Sequence, residues 1–322
     1  MPDRDPKPKL ESMSPELLIR FTNDYEAACR LRDLGFEPIE CAFGQHGSVL
    51  GPLNMDHHGT ESHREGVALR ACRDLYSARR DDPRFVVTGT PDADAVLAIV
   101  ALAGLTPANR LDPVFYRIVD AHDTDPIGHD LLSTPEGQLV AYFNQQPGLF
   151  QNEAGFYAAV KLMLTLIEDG LEKPARAHLH RADANRRRTA LSGIEAVYHR
   201  DGRRTEPPAN VEALAVRRGP LATLDSSRIV VVKSGVWGFD QWYRVTPVVV
   251  SYASRMAKVT VGCPDLPTAQ LLFGDDGLMT AWRALGRGWG GRPTIGGSPR
   301  GVRLRASETH ETAKVLLDLL LV

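Results

Sequence analysis

The segment RFVVTGTPDADAVLAIVALAGL, residues 84–105, constrains the fold most. It opens with β-branched and aromatic residues, turns at Gly-Thr-Pro, and continues as a long apolar helix whose first turn is acidic. The same order stands earlier, where the apolar run LLIRFTN (17–23) precedes DYEAACRLRDLG, which has helical periodicity and a terminating glycine. PIECAFG (38–44) reads as a second short strand, PLNMDHH (52–58) as a third with polar residues at its C-terminal end, and Glu65 to Arg79 as a helix. FYRIVDAHDTDPIG (115–128) again carries apolar residues into a cluster of acids and histidine. Strands alternating with helices predict parallel βαβ units, and such sheets place ligands beyond the carboxyl ends of their strands. The fold class expected is therefore α/β, with a parallel-sheet N-terminal domain.

From Glu153 to Tyr198 the sequence is mostly helical, with a break near Pro174 and a charged face in HLHRADANRRR. DGRRTEPPAN (201–210) combines charge, glycine and paired proline, as a linker does. Beyond it, strands are expected near RIVVVKS (228–234), PVVVSYA (247–253) and KVTVGC (258–263), followed by a glycine-rich loop and a closing helix. This region reads as a smaller α+β domain. With 322 residues the chain has material for two cores. The expected division is a disordered lead-in at 1–14, a metal-binding α/β domain at 15–200, a linker at 201–212 and a substrate-binding domain at 213–322.

A net charge of -2, with 43% hydrophobic and 24% charged residues, gives no global pull toward nucleic acid or membrane. An anionic ligand must then be held by local features, and the lack of a continuous basic stripe weighs against long nucleic acids. The charged, proline-rich N-terminus lacks a signal-peptide core, and no apolar run approaches the roughly 18–20 residues that span a bilayer, so a cytoplasmic protein is expected. Cys29, Cys41, Cys72 and Cys263 show no CxxC spacing and read as reduced thiols. Arginine outnumbers lysine, as in proteins of GC-rich bacterial genomes.

Asp56, His57 and His58 are adjacent, follow an apolar approach and precede Gly59. Carboxylate oxygen together with imidazole nitrogen suits Mn²⁺ and similar ions, while Mg²⁺ prefers more oxygen. Alternate strand residues face opposite sides, so at most two of the three bind one metal while the strand persists. Asp92 and Asp94 open a helix, where acids also stabilise its positive end. Asp120, His122, Asp123 and Asp125 form a denser cluster than capping requires. Asp24 and Glu26 offer a DxE pair that serves equally well as a helix cap. His46 and His63 flank the DHH segment, whereas His178, His180, His199 and His310 are assigned to solvated faces. Further on, GRGWGGRPTIGGSPRG (286–301) interleaves seven glycines with Arg287, Arg292 and Arg300, a composition suited to an anion cradle or a flexible basic loop.

These residues together resemble the DHH phosphoesterase superfamily. NMDHHGT matches its naming signature, FTNDYEAACRL resembles its first acidic motif, and VVTGTPDADAV resembles a later motif that leads to a metal-binding aspartate. IVDAHDTDPIG looks like the ID-A-x-D segment of an exonuclease group within the superfamily. GWGGRPTIGGSPRG is similar to the glycine-rich loop of the DHH-associated substrate-binding domain. Three departures stand out. Glu26 replaces an aspartate, IECAFG is read as lacking the acid that follows the second strand, and Arg292 stands where histidine is usual.

The resemblance implies a two-domain enzyme that cleaves a phosphate ester or phosphoanhydride of a nucleotide, short oligonucleotide or related small anion at an interdomain cleft. One or two Mn²⁺ (or Mg²⁺) ions are expected on Asp24, Asp56, His57, Asp92, Asp94, Asp120 and Asp123. His58 or His122 would handle the proton of the leaving oxygen. Gly290, Gly291, Arg292, Gly296, Gly297, Ser298 and Arg300 would hold the rest of a small, nucleotide-like anion. No membrane or long nucleic acid is expected as partner, and a homodimer is allowed. Two alternatives stay open: a binding module that has lost hydrolysis, and a DHH-fold enzyme recruited to a non-phosphate substrate in specialised metabolism.

Overall fold

The computed structural model describes residues 17–43, 46–57, 65–74, 82–105, 113–124, 131–146, 149–207, 228–299 and 302–320. The lead-in 1–14 lies outside them. The chain is mixed α/β. Strands β1 (Leu18–Phe21), β2 (Glu37–Ile39) and β3 (Arg84–Val87) form a parallel sheet in the order β1-β3-β2, registered through Ile19↔Phe85 and Pro38↔Val86. Helix α1 (Tyr25–Asp33) follows β1, α2 (Val67–Asp74) precedes β3, and α3 (Ala93–Leu102) follows it. Every residue of α3 is buried, which is why its sequence is apolar all round. The outer edge of β1 is covered by Tyr157, whose hydroxyl accepts from Ile19 N at 2.8 Å and donates to Leu17 O at 3.2 Å. That blocks strand addition at this edge.

Residues 52–57 of the segment PLNMDHH, expected as a third strand, form a loop that joins the sheet through a parallel bridge between Ile39 and Met55; His58 lies outside the described residues. The segment FYRIVDAHDT (115–124), read as one more apolar run leading to an acidic cluster at the strand edge, lies in helix α4 (Pro113–Thr124). Proline at its start and buried Phe115, Tyr116 and Val119 at helical spacing explain this. Helices α5 (Pro135–Asn144) and α6 (Glu153–Asp169) complete the first core, with Phe143, Phe156 and Met163 fully buried against α3 residues.

Helix α7 (Lys173–Ser192) belongs to two cores. Leu179 packs in the first, while Ala190 and Leu191 pack with Val230, Val232, Phe239 and Trp242 in another. The second sheet holds seven strands, β4 (Ile194–His199), β5 (Arg204–Thr205), β6 (Arg228–Ser234), β7 (Val248–Ala253), β8 (Lys258–Gly262), β9 (Gly290–Gly291) and β10 (Ile295–Gly297), in the order β5-β4-β6-β7-β8-β10-β9. Its pairs are antiparallel except β6 and β7. Helix α8 (Phe239–Trp242) lies between those two strands, and α9 (Leu266–Phe273), α10 (Met279–Leu285) and α11 (Glu308–Leu319) pack on the opposite face with Val231 and Val250.

The sheet therefore takes β4 from the region expected to close the first domain. It also takes β5 from the expected linker, of which 208–212 lie outside the described residues. Ala196 and Tyr198 pack into the core on one face of β4, Ile194 and Val197 into the core on the other, and that burial overrides the polar look of the turn that follows. All four cysteines are free thiols, Cys41 and Cys263 being buried.

Candidate metal centre

The site gathers at the carboxyl ends of the parallel strands. Glu40 is the first residue beyond β2 and holds a left-handed backbone at φ 52, a conformation that non-glycine residues seldom keep without support. The support is its own N–H, which donates to Met55 O at 2.8 Å and ties the strand end to the DHH loop. That loop is fixed further by buried Glu37, which accepts from Leu53 N at 2.9 Å, and by buried Arg70, which donates to Asp56 O at 3.3 Å and to Asn54 O. His57 is thereby set beneath the sheet edge with only 2% exposure.

Three donors converge there. His57 Nε2 lies 2.8 Å from Glu40 Oε1, and His57 Nδ1 lies 3.6 Å from Asp94 Oδ2. One ligand atom from each of Glu40, His57 and Asp94 falls within 4.8 Å of the others, and all three residues are buried. It is the one such group among the described residues. Asp94 is oriented from behind: its carboxylate accepts from Val67 N and Ala68 N, each at 2.9 Å, at the start of α2. Asp120 takes the neighbouring donor, Gly66 N, at 2.6 Å. The exposed amides of a helix start attract and fix negative charge, so Asp94 is held with its remaining lone pairs toward His57.

The second sheet reaches the same place. Arg292 sits in the β9–β10 turn, where its N–H donates to Ile295 O at 2.7 Å and its carbonyl accepts from Trp282 Nε1 at 3.3 Å. Leu278 N donates to Pro293 O at 2.8 Å and Cys263 N to Thr294 O at 2.7 Å, so the turn is anchored on both sides. The Arg292 side chain is buried, with Nη2 at 2.5 Å from His57 Nε2 and bonded also to Nδ1.

Of the metal ligands expected from sequence, His57 and Asp94 meet. Asp56 is buried next to them, but its carboxylate accepts from Ser48 Oγ. Asp24 and Asp92 lie outside the Glu40–His57–Asp94 group: each is an exposed N-cap, accepting from Ala27 N at 2.6 Å and from Ala95 N at 3.0 Å, as the capping alternative describes. Asp120 serves α2 as described, and His122 is half-buried on α4. His58, Arg300 and the side chain of Asp123 lie outside the described residues.

The glycines of the expected cradle have a packing role in the hairpin. Gly291 sits at φ 152, and a Cβ there would meet Gly296 Cα at 2.2 Å. A Cβ on Gly296 would meet the Trp282 ring at 2.6 Å, and one on Gly297 would meet Val259 O at 2.5 Å. These three glycines let a narrow hairpin lie against β8, whereas Gly290 has open space around it. Ser298 is likewise a strand partner: its N–H donates to Val259 O at 2.9 Å, and its Oγ accepts from Val259 N at 3.2 Å.

Glu40 is the functional candidate that sequence reading passed over. IECAFG was read as having no acid after the second strand because the strand was drawn through residue 44; it ends at Ile39, and the acid is Glu40 itself. Two carboxylates and an imidazole from three separate segments, buried and braced by surrounding hydrogen bonds, could hold a metal ion.

Against known proteins the chain matches no family model, no curated protein and no solved structure. The DHH resemblance is thus carried by its motifs. Among the described residues, no helix is long and apolar enough to cross a membrane.

Proposed function

We propose that this chain is a metal-dependent hydrolase of the DHH phosphoesterase type, acting on a phosphate ester or phosphoanhydride of a small nucleotide-like anion. The observation that carries the reading is the buried convergence of Glu40, His57 and Asp94 at the carboxyl edge of a parallel sheet. Glu40, His57 and Asp94 would hold Mn²⁺ or Mg²⁺. When bound, such a cation supplies Lewis acidity toward a phosphoryl oxygen. Glu40 Oε1 lies 2.8 Å from His57 Nε2 and the α2 amides fix Asp94, so the donors already stand close together. Arg292 brings from the second sheet a planar fork that matches phosphate oxygens. His58 and His122 are the candidates for moving a proton to the leaving oxygen.

A second reading, a nucleotide-binding module without hydrolysis, is favoured by the duty of Asp24 and Asp92 as helix caps, which leaves fewer acids for a second ion. The full chain, loaded with Mn²⁺, should be assayed against mononucleotides, dinucleotides, short single strands and pyrophosphate. Hydrolysis of one class, lost in Asp94→Asn and kept in Asp24→Asn, is expected. Ligand binding that persists in chelator without any turnover would favour the second reading instead.

A further inference from the structure

A neutral imidazole carries one N–H and one lone pair. His57 has a carboxylate near each ring nitrogen, Glu40 at Nε2 and Asp94 at Nδ1, and Arg292 Nη2 bonds to both nitrogens. Nη2 lies against both ring nitrogens, so whichever of them carries the proton, the guanidinium stands in the space that a cation bound to the ring would need. Its charge also compensates two buried carboxylates, as the cation's charge would.

The geometry points to a built-in competitor: Arg292 and a divalent cation are alternative partners of His57, and cation binding at Glu40, His57 and Asp94 displaces the Arg292 side chain from the ring. This inference rests on the metal reading above. It gives the site an order of events. The cation enters first, and the displaced guanidinium, still tethered to the anchored β9–β10 turn, is then available beside the cation for an anionic ligand. A cation is thus required before the anion is gripped, and Arg292 serves as the site's counter-charge until then. The arginine at this turn has a use that a short neutral side chain there would not have.

The test is Mn²⁺ affinity alone, read by electron paramagnetic resonance of free Mn²⁺ on metal-stripped full-length protein. Arg292→Leu and Arg292→Gln are compared with the unsubstituted chain, the glutamine variant keeping a shorter, uncharged polar group in case the leucine variant does not fold. If Arg292 occupies the ring in about nine molecules of ten, apparent affinity is lowered about 10-fold, so both substitutions should tighten Mn²⁺ binding by about that factor. Affinity that is unchanged or weaker in the variants, with Mn²⁺ still bound, overturns the competitor and leaves the metal reading intact. No Mn²⁺ bound by any of the three proteins overturns both.

Discussion

Arg186 on α7 uses all five of its guanidinium N–H groups. Nε and Nη2 donate to Asp183 Oδ1 at 3.0 and 2.8 Å, Nη1 donates to Trp237 O at 2.9 Å and Asp240 Oδ1 at 2.8 Å, and Nη2 also donates to Asp240 Oδ2 at 3.0 Å. The cluster ties α7, which enters both cores, to α8 beneath the second sheet. Arg186→Met removes the cation and leaves two largely buried carboxylates, 11% and 18% exposed, facing one another's surroundings. Removing one partner of a buried pair costs about 3–5 kcal/mol. The lower end applies here, because the group keeps some solvent and Arg187 Nε still lies 2.5 Å from Asp183. At roughly 2–4 °C per kcal/mol for large domains, 3 kcal/mol lowers Tm by roughly 6–12 °C in a thermal melt followed by circular dichroism at neutral pH.

The pH dependence supplies a sign. Burial pushes the Asp240 carboxyl up, but the hydrogen bonds and charge of Arg186 outweigh it and hold the group below its ordinary value of 3.8. A depressed folded-state value means stability that is fully present above 3.8 and lost as pH falls through the folded value. The gap between the two proteins should therefore be widest near neutrality and shrink in acid. A Tm loss under about 2 °C at pH 7, or a gap that widens in acid, would refute this reasoning.

Other perturbations address the site and the second sheet. Glu40→Gln should weaken Mn²⁺ binding about 10-fold or more, and Asp92→Asn should leave it unchanged; equal loss in both would place the cation elsewhere. Gly66→Ala puts a Cβ 2.7 Å from an Asp94 oxygen that is already fixed by two amides, so Mn²⁺ affinity should fall with only a small change in Tm, and unaltered affinity counts against the role of Asp94. His310 accepts or donates at Nδ1 to Tyr198 at 2.9 Å, and burial foremost lowers its pKa from 6.5. Its neutral form is favoured in the fold, so the contribution is whole above pH 6.5 and declines as pH falls below that. His310→Gln should flatten this part of a urea-stability profile, and a profile with the original slope would contradict it.

The βα units of residues 17–33 and 84–102 were legible because their patterns are long and bounded by glycine or acidic caps. Helix α4 was misread because short apolar clusters at Phe115 and Val119 fit either period, and the acids after them drew attention from the proline that starts the helix. His57 and Asp94 were legible as candidate ligands from residue type and place, and the structure brings them together. Glu40 was not, because its role depends on a strand that ends one residue before it and on a left-handed backbone braced by the Met55 contact. Asp24 and Asp92 show the converse: an acid at a helix start has a local use that sequence cannot separate from ligation. The glycines of 290–297 were read as an anion cradle, since the close approach of their hairpin to β8 is a tertiary property. No pattern in the sequence brings Arg292 to His57, 235 positions away.

The most direct measurement is anomalous X-ray scattering from a crystal of the full chain soaked in Mn²⁺. The account predicts a peak coordinated together by the Glu40 carboxylate, the His57 ring and the Asp94 carboxylate, with the Arg292 guanidinium withdrawn from His57. Density at Asp24 or Asp92 instead, or no peak at all with Arg292 still on the ring, would contradict it.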